Sequence, residues 1–178
     1  MVGMNVVAIA KLRHESQSKG NVSMSTVSTL SPASSSRALK PILIGGLIAG
    51  GLDLIAAFVS FGPGVPRVIA AGLLGRGAIQ GGAGTYILGV FLQFFIATCA
   101  AAVYYAASRR LVFLKQHPLV CGPFFGIAVY LVMYLIVLPL CALHAHGPYQ
   151  LAGLIQGLLI HMVLIGLPIA LSVRLFSE

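Results

Sequence analysis

The sequence predicts an all-α, polytopic membrane protein with four transmembrane helices and a short interfacial helix between the first two. Of its 178 residues, 58% are hydrophobic, 11 are Lys or Arg, and only 3 are Asp or Glu. Soluble domains are about 25% charged, so this chain has too little charge to cover a water-facing surface. Several apolar runs also exceed the ~18 residues that indicate a bilayer span. Disorder along the whole chain is excluded, because it requires low hydrophobicity.

Residues 1–40 differ from the rest in composition. They are basic and rich in serine, with nine serines between Ser16 and Ser36. Such a segment buries too little apolar area to offset its ordering entropy, so we predict a disordered tail. An organellar targeting segment and a mis-assigned start near Met24 are the alternatives.

Four apolar spans follow, at about residues 41–61, 84–107, 119–143 and 150–173. Each has about 20 residues or more, enough to cross a ~30 Å hydrocarbon core at 1.5 Å per residue. Residues 62–82 contain two prolines and several glycines, and we predict a short interfacial or re-entrant helix over residues 66–77. Pro139 and Pro168 lie inside the third and fourth spans and predict kinks near Ile136 and Ile165.

The distribution of positive charge predicts the orientation. Nine Lys or Arg residues flank the spans on the side of the N-terminus, and only Arg67 and Arg76 lie on the other side. Because Lys and Arg accumulate in cytoplasmic loops, we expect both termini and residues 109–117 to be cytoplasmic. This bias also accounts for the net charge of +8, and since the chain has no basic run, nucleic acid is not an expected partner.

Asp53 is the acidic residue that lies inside a predicted span. An ionisable group at membrane depth is costly and is a functional-site hypothesis by default. Gly46 and Gly50 precede it at helical spacing, so the three share one face. Because a Gly-x-x-x-Gly face lets another backbone approach closely, we expect Asp53 to point into the bundle.

The other spans repeat this pattern of small residues with a polar side chain. Helix-packing glycines are predicted at Gly122, Gly126, Gly153 and Gly157, and the polar side chains are Gln93, Tyr130 and His161. By helical rise, Asp53 and these three side chains lie ~14–18 Å from the cytoplasmic surface. We therefore predict a polar cluster of Asp53, Gln93, Tyr130 and His161 near the bilayer midplane. It could bind an ion or a small polar ligand, or the same side chains could only hold the helices together.

The sequence predicts no metal, no cofactor and no catalytic residue. Cys99, Cys121 and Cys141 form no C-x-x-C pair. His144 and His146 have only Cys141 nearby as a further ligand, which is too few for a zinc site. Enzyme activity is therefore less expected than a binding or structural role.

Four stretches carry a resemblance to a known family: GLIAGGLD at residues 46–53, GLLGRGA at 72–78, HPLVCGPFFG at 117–126 and VYLVM at 129–133. Between Pro41 and about Leu143 the chain resembles an uncharacterised family of small, four-span bacterial inner-membrane proteins. The resemblance implies a bacterial inner membrane and carries no activity. The Ser-rich tail is unlike that family.

Two functions from different classes follow from these observations. The first is binding or translocation of a small solute or ion through the midplane cluster. The second is a structural or accessory subunit of a membrane complex, in which the polar residues only fix helix packing. The lipid bilayer is the expected environment, and a second copy of the chain or another membrane subunit is the candidate protein partner.

Overall fold

The computed structural model describes residues 32–144 and 150–176. Most of the predicted tail, residues 1–31, lies outside this described part. The helices are α1 (Pro32–Phe61), α2 (Val65–Leu74), α3 (Ala83–Arg110), α4 (Phe113–Gln116), α5 (Pro118–Leu140) and α6 (Leu151–Phe176), with a 3-10 turn at Arg76–Gln80.

Four of these helices are long and apolar enough to cross a bilayer. They are α1 from Ala38 onward, α3, α5 and α6, with lengths of 24, 28, 23 and 26 residues. At 1.5 Å per residue, these lengths correspond to roughly 35–42 Å, which exceeds a ~30 Å hydrocarbon core. The shorter apolar helix α2 lies between the first two. The predicted fold class is therefore confirmed.

Glycine in the left-handed region ends two helices. Gly62 has φ +83° and donates its N–H to the Phe58 carbonyl at 2.9 Å, which ends α1. Gly75 has φ +87° and donates to the Ala71 carbonyl at 2.8 Å, which ends α2. Glycine adopts this conformation without the Cβ penalty that other residues meet. The short helix consequently stops at Leu74, whereas the sequence predicted a helix to residue 77.

The remaining helix boundaries differ from prediction by one to nine residues. Helix α1 begins at Pro32, so residues 32–40, predicted to belong to the tail, are helical. Helices α3 and α6 extend three residues further than predicted, to Arg110 and Phe176. Helix α5 ends at Leu140, three residues before the predicted limit, because the chain turns at residues 141–143.

Both α5 and α6 contain a π-helical segment just before a proline. Met133–Val137 precedes Pro139, and His161–Gly166 precedes Pro168. Proline lacks the N–H that would continue the α-helical ladder, so an irregularity is expected in the preceding turn. Both positions where kinks were predicted, Ile136 and Ile165, lie within these π segments.

Helices α1 and α3 pack closely at glycines of α1. A Cβ added at Gly46 would lie 2.6 Å from the Thr98 Cα, and one at Gly50 would lie 3.0 Å from the Phe94 ring and 3.1 Å from the Ala97 Cβ. From Gly46 to Gly50, four residues later in α1, the contact on α3 shifts from Thr98 back to Phe94, four residues earlier. The two helices are antiparallel and pack across a small-residue face.

Helices α5 and α6 show the same close packing with glycine on both sides. Gly122 lies against the Gly166 backbone, and a Cβ at Gly126 would lie 2.7 Å from the Met162 Cα. Helix α6 also contacts α1, since a Cβ at Gly45 would lie 3.2 Å from the Ser172 Cβ. These three contacts join α5, α6 and α1 in an antiparallel order.

The buried core lies toward the end of the bundle where α1 and α5 begin and α3 and α6 end. It comprises Ala49, Ala101, Tyr104, Ile165, Ile169, Ala170 and Val173. We call this end the basic end, because the described cations Lys40, Arg109, Arg110, Lys115 and Arg174 lie on helices or loops there.

The opposite end holds α2. The Pro66 backbone lies against Gly89 of α3, and the Ala142 N–H donates to the Gly72 carbonyl at 2.8 Å, which ties α2 to the end of α5. Arg67 of α2 and Arg76 of the following turn are the cations at this end. The short helix therefore caps the end that carries less positive charge.

An added methyl group should change the free energy of unfolding differently at a glycine that packs against a helix and at one that faces outward. Gly126→Ala should lower the free energy of unfolding by about 1–3 kcal/mol, because the α6 backbone must move to accommodate it. Gly153→Ala is the matched control: Gly153 is exposed, with no atom within 4 Å of an added Cβ, so stability should be unchanged or slightly higher. Unfolding in detergent measures both, and equal effects would contradict the proposed helix packing.

Candidate functional site

Asp53 and Gln93 form a hydrogen bond between α1 and α3. The Gln93 Nε2 donates to the Asp53 Oδ2 at 2.6 Å, and both side chains are half-buried. Gly50, one turn before Asp53, contacts Phe94 and Ala97 and brings the two helices close enough for this bond. The local reason for the contact is therefore the small-residue face that the sequence predicted.

The Asp53 carboxylate has no cationic partner among residues 32–144 and 150–176. It is the single acidic side chain in residues 32–144 and 150–176, and within that part of the chain its hydrogen-bond partner is the Gln93 amide alone. A carboxylate has about four lone-pair sites, so most of its acceptor capacity is left unused. A proton or a small cation is the species that would neutralise such a charge at membrane depth.

Tyr130 and His161 form a second pair, between α5 and α6. Their ring centroids lie 5.1 Å apart in an edge-to-face arrangement with an interplanar angle of 64°. Gly157 makes room for the tyrosine, since a Cβ there would lie 2.7 Å from the Tyr130 Cε2. Tyr130 also stacks on Tyr134 with centroids 5.5 Å apart.

The hydrogen bond of His161 fixes its tautomer. Its Nδ1 lies 2.9 Å from the Gly157 carbonyl oxygen. A carbonyl only accepts, so Nδ1 must carry the proton, and a neutral imidazole then has Nε2 as an acceptor. The ring can therefore receive a proton at Nε2 while its orientation is held at Nδ1.

The structure arranges the four predicted site residues as two pairs. Asp53 and Gln93 join α1 to α3, whereas Tyr130 and His161 join α5 to α6. Among the described residues, no hydrogen bond or ring contact connects one pair to the other. The predicted role of these residues as a ligand or ion site stays a prediction.

A third polar pair, which sequence analysis did not single out, joins α1 to α6. The Gln156 Nε2 donates to the Ser60 Oγ at 3.0 Å. The pair lies in an open apolar crevice of about 660 Å³, lined also by Ala56, Val59, Ile155, Leu159 and Ile160. The available signal was Gln156 itself, an amide one residue before Gly157 in the fourth span.

The predicted packing glycines fall into two groups. Gly46, Gly50, Gly122, Gly126 and Gly157 each lie against a neighbouring helix. Gly153 is exposed, and none of the described helices packs on it. Helix α6 begins only two residues earlier, at the end of the bundle away from the core, which explains the difference.

No three His, Cys, Asp or Glu side chains gather at a metal-binding distance within the described ranges. His144 has φ +44°, and its Nδ1 lies 3.2 Å from the Pro139 carbonyl oxygen. His146 lies outside the described residues.

Four membrane-length apolar helices with polar pairs between them define an α-helical, multi-pass membrane protein. Comparison with known protein families, with curated proteins and with solved structures finds no match to this chain. The resemblance to four-span bacterial proteins therefore stays a prediction, and the polar pairs are the features of the structure that bear on function.

A double-mutant cycle on Asp53 and Gln93, with alanine at either or both positions, should give a coupling energy of about 1.5–3 kcal/mol, as is typical of hydrogen bonds to a charged group. The same cycle on Ser60 and Gln156 is the control and should give about 0.6 kcal/mol, the average for neutral polar pairs in membranes. Unfolding in detergent gives both values. Equal coupling energies would mean that Asp53 is neutral when it bonds to Gln93.

Proposed function

We propose that this protein binds a small solute or ion within the membrane and moves it across, with Asp53 as the primary binding group and a proton or small cation as the bound species. The observation that supports the proposal is the unpaired carboxylate in a membrane-length helix, bonded to a neutral amide at 2.6 Å. No Lys, Arg or His in residues 32–144 and 150–176 forms an ion pair with Asp53, so the charge of its carboxylate is not compensated within that part of the chain.

The choice of aspartate over asparagine favours binding over simple helix packing. An asparagine at this position would also accept a hydrogen bond from Gln93, without the cost of a charge in hydrocarbon. A carboxylate adds a negative charge, which strengthens the bond to Gln93 and also lets the group hold a proton or cation. Gln93 keeps one oxygen oriented by its bond and leaves the other free to bind.

Tyr130 and His161 supply a second polar station in this proposal. The His161 Nε2 is an acceptor because Nδ1 is bonded to the Gly157 carbonyl. An ion or proton released from Asp53 would therefore meet another group of suitable chemistry on the facing helix pair. Transfer between the pairs would require a water molecule or a helix movement, since no direct contact joins them in the described chain.

The alternative function is a structural or accessory subunit, and the Ser60–Gln156 bond favours it. That bond shows how a neutral polar pair joins two helices of this bundle at 3.0 Å. If Asp53 and Gln93 likewise only join two helices, the protein acts as part of a membrane complex. Its partner would then be a second copy of the chain or another membrane subunit. Loss of either bond would then lower the stability of the bundle, and wild type itself would carry no flux.

Proteoliposomes with an internal pH dye test the proposal. Liposomes with wild-type protein should dissipate an imposed proton gradient faster than empty liposomes do. If the bound species is sodium or potassium, they should instead dissipate an imposed gradient of that ion faster, as followed by an ion-selective dye. Asp53→Asn should reduce this flux to the level of empty liposomes, because the isosteric amide is not protonated and has no negative charge to hold a cation. Ser60→Ala, which removes an interhelical hydrogen bond without removing a charge, is the control and should keep the flux.

Thermal unfolding in detergent separates loss of the site from loss of the fold. A cation at one hundred times its dissociation constant should stabilise wild type by about 2.7 kcal/mol, and the shift should be absent in Asp53→Asn. If wild type carries no flux and no ion or metabolite shifts its unfolding, while Asp53→Asn unfolds at much lower temperature, the structural alternative is correct.

We further propose a location in a bacterial inner membrane, with both termini cytoplasmic. The family resemblance supports the first part, and the larger number of cations at the basic end supports the second.

Two exposed glutamines at opposite ends of the bundle test this orientation. In a chain whose three cysteines are replaced by alanine, Gln80→Cys should react with a membrane-impermeant maleimide in intact cells stripped of their outer membrane. Gln116→Cys should react only after lysis, because α4 is expected on the cytoplasmic side. The reverse labelling pattern would invert the topology.

A further inference from the structure

A second crevice, of about 480 Å³, lies at the basic end between the end of α3, the short helix α4 and the start of α5. Its lining is almost entirely apolar and consists of Tyr104, Phe113, Leu114, Val120, Cys121, Phe124 and Phe125. No part of the proposed ion site lies here.

The floor of this crevice is fixed by Tyr104. The side chain is 1% exposed, its hydroxyl donates to the Leu114 carbonyl at 3.0 Å, and its ring packs edge-to-face on Phe125 with centroids 4.9 Å apart. The hydrogen bond holds α4 against the end of α3. The crevice is consequently a preformed feature of the packed half of the bundle.

The rim of the crevice is apolar and exposed. Phe113 is 56% exposed, Val120 54% and Phe124 66%. Leu111 and Val112, in the turn before α4, are exposed as well. Apolar side chains at the end of a membrane-length helix lie at the boundary between lipid headgroups and acyl chains, so the crevice opens toward lipid.

Cations stand beside this apolar rim. Arg109 and Arg110 are exposed at the end of α3, within four residues of Phe113, and Lys115 directly follows the lining residue Leu114. The one described acidic residue, Asp53, lies about 20 Å further along the bundle from Lys40 at 1.5 Å per residue. The positive charge at the crevice is therefore not compensated by the described part of the protein.

We propose that this crevice binds one anionic phospholipid. An acyl chain lies against the aromatic lining, and the headgroup phosphate bonds to Arg109, Arg110 and Lys115. Charge complementarity determines the choice of occupant: a zwitterionic lipid would leave these cations without a net counter-charge, and an acidic water-soluble ligand would leave the apolar crevice empty. Basic pockets between membrane helices on the cytoplasmic side bind anionic headgroups by this combination of contacts.

Native mass spectrometry of the detergent-purified protein tests the proposal, with phosphatidylglycerol and phosphatidylcholine of identical acyl chains added in competition. We expect wild type to retain one phosphatidylglycerol in preference, and Arg109→Gln/Arg110→Gln to weaken its binding roughly tenfold to thirtyfold. Arg67→Gln/Arg76→Gln, which removes the same charge from the opposite end, is the control and should bind as wild type does.

Val120→Trp tests the apolar part of the site. It fills the crevice and leaves all three cations in place, so phosphatidylglycerol binding should fall while glycerol phosphate remains a poor competitor. Undiminished binding of phosphatidylglycerol to Val120→Trp would mean that the apolar crevice takes no part in binding. Competition by glycerol phosphate as strong as that by phosphatidylglycerol would mean that the cations bind any phosphate. Either result would overturn the proposal. Equal binding of the two lipids to wild type would also overturn it. Unchanged unfolding temperatures without lipid show that each variant is folded.

Discussion

Close contact between helix backbones at glycine is the interaction on which this bundle depends. Lipid chains are as apolar as leucine side chains, so membrane helices gain little from the hydrophobic effect and associate through close packing. Gly122 lies against Gly166, and Gly46 lies against Thr98, at separations that leave no room for a Cβ. The packed core, the ordered aromatic floor and the crevice at the basic end all lie in the half where these contacts occur.

The other half of the bundle is more open, and the candidate ion site lies at the transition. Gly50 still holds α1 on α3 one turn before Asp53, whereas seven residues further an open apolar crevice lies between α1 and α6, bridged by the Ser60–Gln156 hydrogen bond. Asp53 itself is half-buried. Helix packing at Gly50 and the bond to Gln93 fix its position, and its second carboxylate oxygen has no hydrogen-bond partner among the described residues.

The sequence predicted most of the fold, because span length and small-residue spacing are local properties. Gly46, Gly50, Gly122 and Gly126 were expected on packing faces, and each lies against a neighbouring helix. Partner choice is not local: four polar residues at similar depth predicted a single cluster, whereas the order of packing placed them in two pairs. Gly153 shows the same limit, since its spacing matches that of Gly157 but no helix in the described part of the chain reaches it.

Helix α6 is irregular at the residue that it contributes to one of the two polar pairs. His161 is the first residue of the π-helical segment His161–Gly166, and Pro168 follows that segment. In a π segment the α-helical hydrogen-bond ladder is already interrupted, and such segments occur frequently at functional sites. His161 is nevertheless held in place, because its backbone lies against Gly126 of α5 and its Nδ1 lies 2.9 Å from the Gly157 carbonyl oxygen. Since the fold holds Tyr130 and His161 on one helix pair and Asp53 and Gln93 on another, the proposed passage of a proton or cation between them requires a water molecule or a shift of whole helices.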